Sequence, residues 1–97
     1  MIALEQVINI LKINKLDIFN KYNIKELGIF GSLVKKEDNL NSDVDLIIEY
    51  SITPDLLKYI ELESYIEKLL NAKVDLVIKN SIRPELKSSV LKDAIYL

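Results

Sequence analysis

The sequence predicts an α+β domain: a small mixed β-sheet with helices packed on it. Three observations predict this. Helical and strand-like segments alternate along the chain in the order α-β-α-β-α-β-α, as expected when helices layer on a sheet. Two short runs, DVDLIIEY at 43–50 and KVDLVI at 73–78, share one alternation, so that Val44, Leu46 and Ile48 are matched by Val74, Leu76 and Ile78. A length of 97 residues with two glycines and two prolines suits one domain with a radius of about 12–13 Å. It does not suit a turn-dense sandwich or a two-domain enzyme, and residues 1–97 are read as a single domain.

The elements follow in order. Leu4, Val7, Ile8 and Leu11 recur at i, i+3, i+4 and i+7, an amphipathic helix. Asn14 interrupts it, and a short helical turn follows through Leu16, Ile18 and Phe19. Lys25 to Phe30 is short and apolar and runs into Gly31-Ser32, which predicts a strand. Leu33 to Glu37 reads as the first turns of a helix opening at Ser32, and Asp38 to Ser42 as a polar loop. Asp43 to Tyr50 is the clearest strand. Thr53-Pro54-Asp55 predicts a helix start, with Thr53 as cap, Pro54 in the first position and an acid near the positive end. That helix runs to about Leu70 with Leu56, Tyr59, Ile60, Ile66 and Leu69 as its core stripe. Asn71-Ala72 ends it, and Lys73 to Ile78 is the third strand. Arg83-Pro84-Glu85 opens a last helix, with Leu86, Val90 and Leu91 facing inward.

Composition narrows the chemistry. Apolar residues make up 49% and charged residues 29%, an ordinary globular balance. There is no cysteine and no histidine, which removes disulfides, thiolate metal sites and imidazole bases. Any metal must be a hard cation held by oxygen: Mg²⁺, Mn²⁺ or Ca²⁺. The net charge of -2 is no footprint for duplex nucleic acid, which calls for a basic face. No stretch has the length of a membrane span, and the N-terminus carries acids and polar residues too early for a signal peptide. The location expected is cytoplasmic.

The informative stretch is GSLVKKEDNLNSDVD, Gly31 to Asp45: Gly-Ser, ten residues at 33–42, then Asp43-Val44-Asp45. Alternation along a strand puts Asp43 and Asp45 on one face and Val44, Leu46 and Ile48 on the other. Two unpaired carboxylates repel and raise one pKa, and a bound Mg²⁺ relieves that. Mg²⁺ in turn favours one or two carboxylates together with substrate phosphates. Gly31, lacking a side chain, lets a phosphate approach the backbone. Ser32 offers a hydroxyl and free N–H groups at a helix start, an anion site. If the strands at 43–50 and 73–78 are neighbours, Asp75 joins Asp43 and Asp45 on one polar face. Three carboxylates there suit a two-metal site for in-line phosphoryl or nucleotidyl transfer. Asp75 could also take the proton of an attacking hydroxyl.

Each residue also has a purely structural reading. Ser32 could be a helix cap, Gly31 a turn glycine, Lys35 and Lys36 a solvated helix face. Asp in strand interiors is disfavoured, so Asp45 and Asp75 are harder to read that way. A chance match to the whole spacing in such a chain is about one in a thousand.

Gly31-Ser32, ten residues, Asp43-x-Asp45 resembles the signature of DNA polymerase β-like nucleotidyltransferases. The short length, Ser42 before the Asp pair and the ending RPELKSSVLKDAIYL resemble the minimal nucleotidyltransferases, and more narrowly the MntA-type antitoxins of HEPN/MNT toxin–antitoxin systems. The likeness runs from about Lys25 to Leu97. It implies the polymerase β-like nucleotidyltransferase fold. It implies Mg²⁺, two ions, on Asp43, Asp45 and Asp75, and the nucleotide triphosphate against Gly31 and Ser32. It also implies ATP as substrate, AMP placed on a tyrosine of a cognate HEPN toxin, and silencing of that toxin. One departure stands out. Many relatives read Gly-Ser-Arg-Ala-Arg-Gly, where this chain reads Gly31-Ser32-Leu33-Val34-Lys35-Lys36. Lys35 keeps a positive charge for phosphate but lacks the bidentate fork of arginine.

Three functions remain open from the sequence: an Mg²⁺-dependent enzyme modifying a protein hydroxyl, a non-catalytic antitoxin acting by occlusion, and a nucleotidyltransferase acting on a small molecule. So short a chain leaves little room for an acceptor pocket, which favours an acceptor that brings its own surface. A hetero-oligomer is expected, with a homodimer as the form of the chain alone.

Overall fold

In a computed structural model, which describes residues 2–35 and 43–97, the elements are helices α1 (Leu4–Ile13) and α2 (Lys15–Tyr22), strand β1 (Ile24–Phe30), a one-turn helix α3 (Ser32–Lys35), strand β2 (Val44–Tyr50), helix α4 (Leu56–Leu70), strand β3 (Val74–Ile78), a 3-10 turn (Lys79–Ser81), helix α5 (Pro84–Leu91) and strand β4 (Ile95–Tyr96). Lys36, the helix extension to Glu37, the loop at 38–42 and Ser42 lie outside the described residues. The sheet order is β3-β2-β1-β4. β1 pairs antiparallel with β2 and with β4, and β2 pairs parallel with β3. The sheet is therefore mixed, as expected. α4 supplies the crossover that a parallel pair requires.

One sheet face and the helices α1, α2 and α4 enclose the core. Val7, Leu11, Ile18, Leu27, Ile29, Leu46, Leu62 and Ile66 are fully buried there. The first helix follows the predicted stripe, with Val7 and Leu11 buried and Leu4 and Ile8 packed against the core. Asn14 does break it. Its Nδ2 donates to the Ile10 carbonyl at 2.8 Å, beside its own backbone N–H, which donates to the same oxygen at 3.2 Å. The second helix is longer than a turn and ends at Asn23, whose left-handed φ of 54° suits asparagine.

Three expectations are corrected. The cap of α4 is Asp55 and not Thr53: the Asp55 carboxylate accepts from the Lys58 N–H at 2.8 Å, so Pro54 precedes the cap. The inward face also differs from the predicted stripe. Leu62, Ile66 and Leu70 are buried with Tyr59 and Leu69 beside them, while Leu56 and Ile60 are 72% and 47% exposed. In α5 no residue is buried, and Leu86 is 52% exposed. β4 was not expected, since two residues carry no period. It pairs through Gly28↔Tyr96 and Ile29↔Ile95, and the Leu97 N–H donates to the Leu27 carbonyl at 2.9 Å. Among the described residues, no helix is long and apolar enough to cross a membrane.

Candidate active site

The site lies where β1 turns into α3, beside the start of β2. Phe30 at the end of β1 is opposite Asp45 in β2, so the residues just after Phe30 pass over the Asp45 side chain. Gly31 makes that passage with φ 78°, a left-handed conformation that costs an L-residue about 1–2 kcal/mol. A Cβ on Gly31 would overlap the Asp45 carboxylate, 2.9 Å from its Cγ and 3.0 Å from its Cβ. Glycine is thus required twice here, for the turn and for the carboxylate under it. The sequence reading assigned Gly31 to the approach of a phosphate; the neighbour that demands glycine in the structure is Asp45.

Ser32 starts α3, and its backbone N–H lies near enough to the Asp45 carboxylate to favour its charged form. One of the N–H groups expected to face an anion is therefore turned toward an anion of the chain itself. Lys35 closes the same turn, its N–H donating to the Gly31 carbonyl at 3.1 Å. Its side chain is exposed and, among the described residues, joins no ion pair.

The aspartates do converge. Parallel pairing of β2 with β3 sets Asp45 directly beside Asp75, the neighbour relation on which the expectation for Asp75 depended. Asp43 stands exposed one residue before β2, and Asp75 is exposed, whereas Asp45 is half-buried. The Asp45 carboxyl is held above its ordinary pKa, first by burial and next by the charge of Asp75. The Ser32 N–H opposes this, and the charge of Asp43 adds to it. Among the described residues neither Asp45 nor Asp75 pairs with a lysine or arginine.

These observations test the donor set for a metal. Two neighbouring carboxylates, one half-buried and both without a cationic partner, fit a divalent cation. Among the described residues, however, the carboxylates do not close into a ready metal cage.

Two side chains that the sequence reading did not assign to the site act on β3 from α4. Glu67 accepts from the Val74 N–H at 3.0 Å through Oε2, and the Tyr59 hydroxyl donates to the Leu76 carbonyl. Tyr59 was read only as core.

The chain matches the nucleotidyltransferase domain family over residues 7–97. It is 39% identical over 97 residues to the protein adenylyltransferase MntA of Thermococcus cleftensis, covering 100% of this chain and 98% of that one. A solved structure described as a minimal nucleotidyltransferase superposes with a TM-score of 0.83 at 28% identity, covering 99% of this chain and 97% of that chain. The fold is also that of a chain in the complex of tri-AMPylated Shewanella oneidensis HEPN toxin with MNT antitoxin. There the TM-score is 0.65 at 22% identity, over 94% of this chain and 70% of that one.

Proposed function

Because this chain belongs to the nucleotidyltransferase domain family, we propose that it transfers AMP from ATP to a hydroxyl, a tyrosine's, on a HEPN-type toxin and so acts as that toxin's antitoxin. The observation that carries the reading is the register of Asp45 with Asp75 beside the Gly31-Ser32 turn, in a chain whose relative over its full length is a protein adenylyltransferase.

In this reading residues 1–97 work as one cytoplasmic domain in a hetero-oligomer with the toxin. The remaining N–H groups and the hydroxyl at the Gly31-Ser32 turn receive the triphosphate, and Lys35 reaches it from the end of α3. Asp43, Asp45 and Asp75 would hold Mg²⁺, two ions, which would neutralise charge developing on the transferred group and on the leaving pyrophosphate. Asp45, fixed by Gly31 and Ser32, is the rigid member of the set. Asp75, more exposed, faces the acceptor side, orients the incoming hydroxyl and takes its proton. The hydroxyl oxygen forms a bond to the α-phosphorus as the bond from that phosphorus to the pyrophosphate oxygen breaks.

The test is a transfer assay with α-labelled ATP, Mg²⁺ and the co-purifying partner, run beside Asp43→Asn and Asp45→Asn. The expected result is label on the partner with the unsubstituted chain and a loss of about 10²–10³-fold or more with either variant. If no label transfers while the partner is still bound and silenced by both variants, the chain neutralises by occlusion and the enzymatic reading is wrong.

A further inference from the structure

β3 is an edge strand. Its inner neighbour is β2, and among the described residues no strand lies on its outer side. The Val44 N–H donates to the Lys73 carbonyl at 2.9 Å, which sets the phase of the strand. Residues 73, 75 and 77 turn their backbone groups to β2, while 74, 76 and 78 turn theirs outward. An outer edge of unpaired N–H and C=O groups frays in water or pairs with foreign chains. Here α4 closes it. Glu67 accepts from the outward Val74 N–H and Tyr59 donates to the outward Leu76 carbonyl. The two bonds bracket the one residue between them, Asp75.

We infer that Tyr59 and Glu67 are positioning residues, which clamp the outer edge of β3 at residues 74 and 76 and so hold Asp75 in register beside Asp45. Several features support the assignment. Both side chains are partly buried, and both lie on the helix that connects β2 to β3. Their separation of eight residues along α4 runs antiparallel to the 74–76 separation, as a helix folded back along its following strand requires. Asp75 is exposed, and it lacks the Gly31 and Ser32 contacts that fix Asp45. Among the described residues, restraint of its position falls to the strand that carries it, and a shift of about 1 Å in a reacting group can cost about 10²-fold in rate.

The consequence for rate rests on the proposed adenylyl transfer; the clamp itself does not. The test uses the full chain with its partner and α-labelled ATP. The variants are Tyr59→Phe, Glu67→Ala, Glu67→Gln and, as a control, Tyr50→Phe, whose buried hydroxyl has no hydrogen-bond partner among the described residues. Tyr59→Phe and Glu67→Ala should each lower kcat about five- to tenfold, with the KM for ATP moving less than about twofold. Glu67→Gln keeps an acceptor for the Val74 N–H and should retain the rate, as should Tyr50→Phe.

Amide hydrogen exchange of the chain is followed in parallel. The Asp75 and Val77 amides should exchange faster by a similar factor in the two damaging variants, with Val7 and Leu11 of α1 unchanged. Unchanged exchange at 75 and 77 overturns the clamp. Faster exchange with kcat unmoved overturns the positioning role. If the unsubstituted chain transfers nothing, it is the transferase reading that fails, and the clamp stands or falls on exchange alone.

Discussion

On one side of β2, Val44, Leu46 and Ile48 are 3%, 0% and 1% exposed, packed under α1, α2 and α4. On the other side of the same strand, Asp45 stands beside a second carboxylate, under a left-handed glycine, without a cationic partner among the described residues. The first side follows the rule that apolar groups leave water. The second violates several local rules at once: Asp inside a strand, like charges in register, and a left-handed turn closed over a carboxylate. Such violations concentrate where a structure serves chemistry instead of stability. The core side sets where β2 and β3 lie, and their register then forces the acids together. Stability made on one face holds a destabilising arrangement on the other.

The sharpest way to break this comparison is to substitute neighbours on opposite faces. Leu46→Ala removes a fully buried side chain and should cost about 2–5 kcal/mol of unfolding free energy, read by urea denaturation, with activity lost only as the fold is lost. Asp45→Asn, one residue away, should do the reverse. It keeps an oxygen for the Ser32 N–H and removes the repulsion with Asp75, so Tm should stay level or rise by roughly 2–6 °C while transfer collapses. A fall in Tm for Asp45→Asn comparable with that of Leu46→Ala would mean that the acid is structural.

A smaller effect is expected from Gly31→Ala. The alanine must adopt φ near 78°, at about 1–2 kcal/mol, and its methyl must displace the Asp45 carboxylate. Stability should fall by about that amount, and transfer by about 10²-fold. The drop in rate should exceed what the unfolded fraction accounts for. If activity tracked folded protein one for one, Gly31 would serve the turn alone.

How much of this was legible in the sequence differs between the same two faces. The core side of β2 and β3 announces itself by alternation, and β1 by its apolar run, because burial is periodic and local. The Gly31-Ser32 to Asp45 spacing is legible because the chemistry tolerates few residue types. Other features depend on tertiary context. Thr53 and Asp55 are both acceptable caps by type, and only the path of the chain into α4 selects Asp55. Which side of α4 meets the sheet is likewise set by packing, and it leaves Leu56 and Ile60 outward. β4 is two residues long and held by pairing with β1, for which sequence has no local code. Glu67 reads as a surface acid on any helical projection; its role depends on β3 having an open edge, which is a property of sheet order. The reason Gly31 is glycine was also hidden, since its crowding neighbour lies 14 positions away along the sequence.

The finest effect is in the pH dependence of stability, and its sign separates the two faces. Asp45 is raised above its ordinary value in the folded chain, chiefly by burial and by Asp75. The native state therefore holds this proton more tightly than the unfolded state. Below the unfolded value near 3.9 the carboxyl is neutral in both states, and the repulsion with Asp75 is absent. As pH rises from there through the folded value, the native state loses the advantage of its tighter proton. Above that window, Asp45 ionised in place is a constant burden. The stability difference between Asp45→Asn and the unsubstituted chain should thus be full at neutral pH and shrink on acidification through that window, by less than about 1 kcal/mol in total given the partial exposure. Leu46→Ala, on the apolar face, should show a deficit independent of pH over the same range. Mg²⁺ added at neutral pH should narrow the first difference and leave the second untouched, because a cation on the carboxylates relieves the repulsion that the asparagine removes. Parallel pH profiles for the two variants, measured by urea denaturation, would place the ionisation of Asp45 outside the balance between the faces.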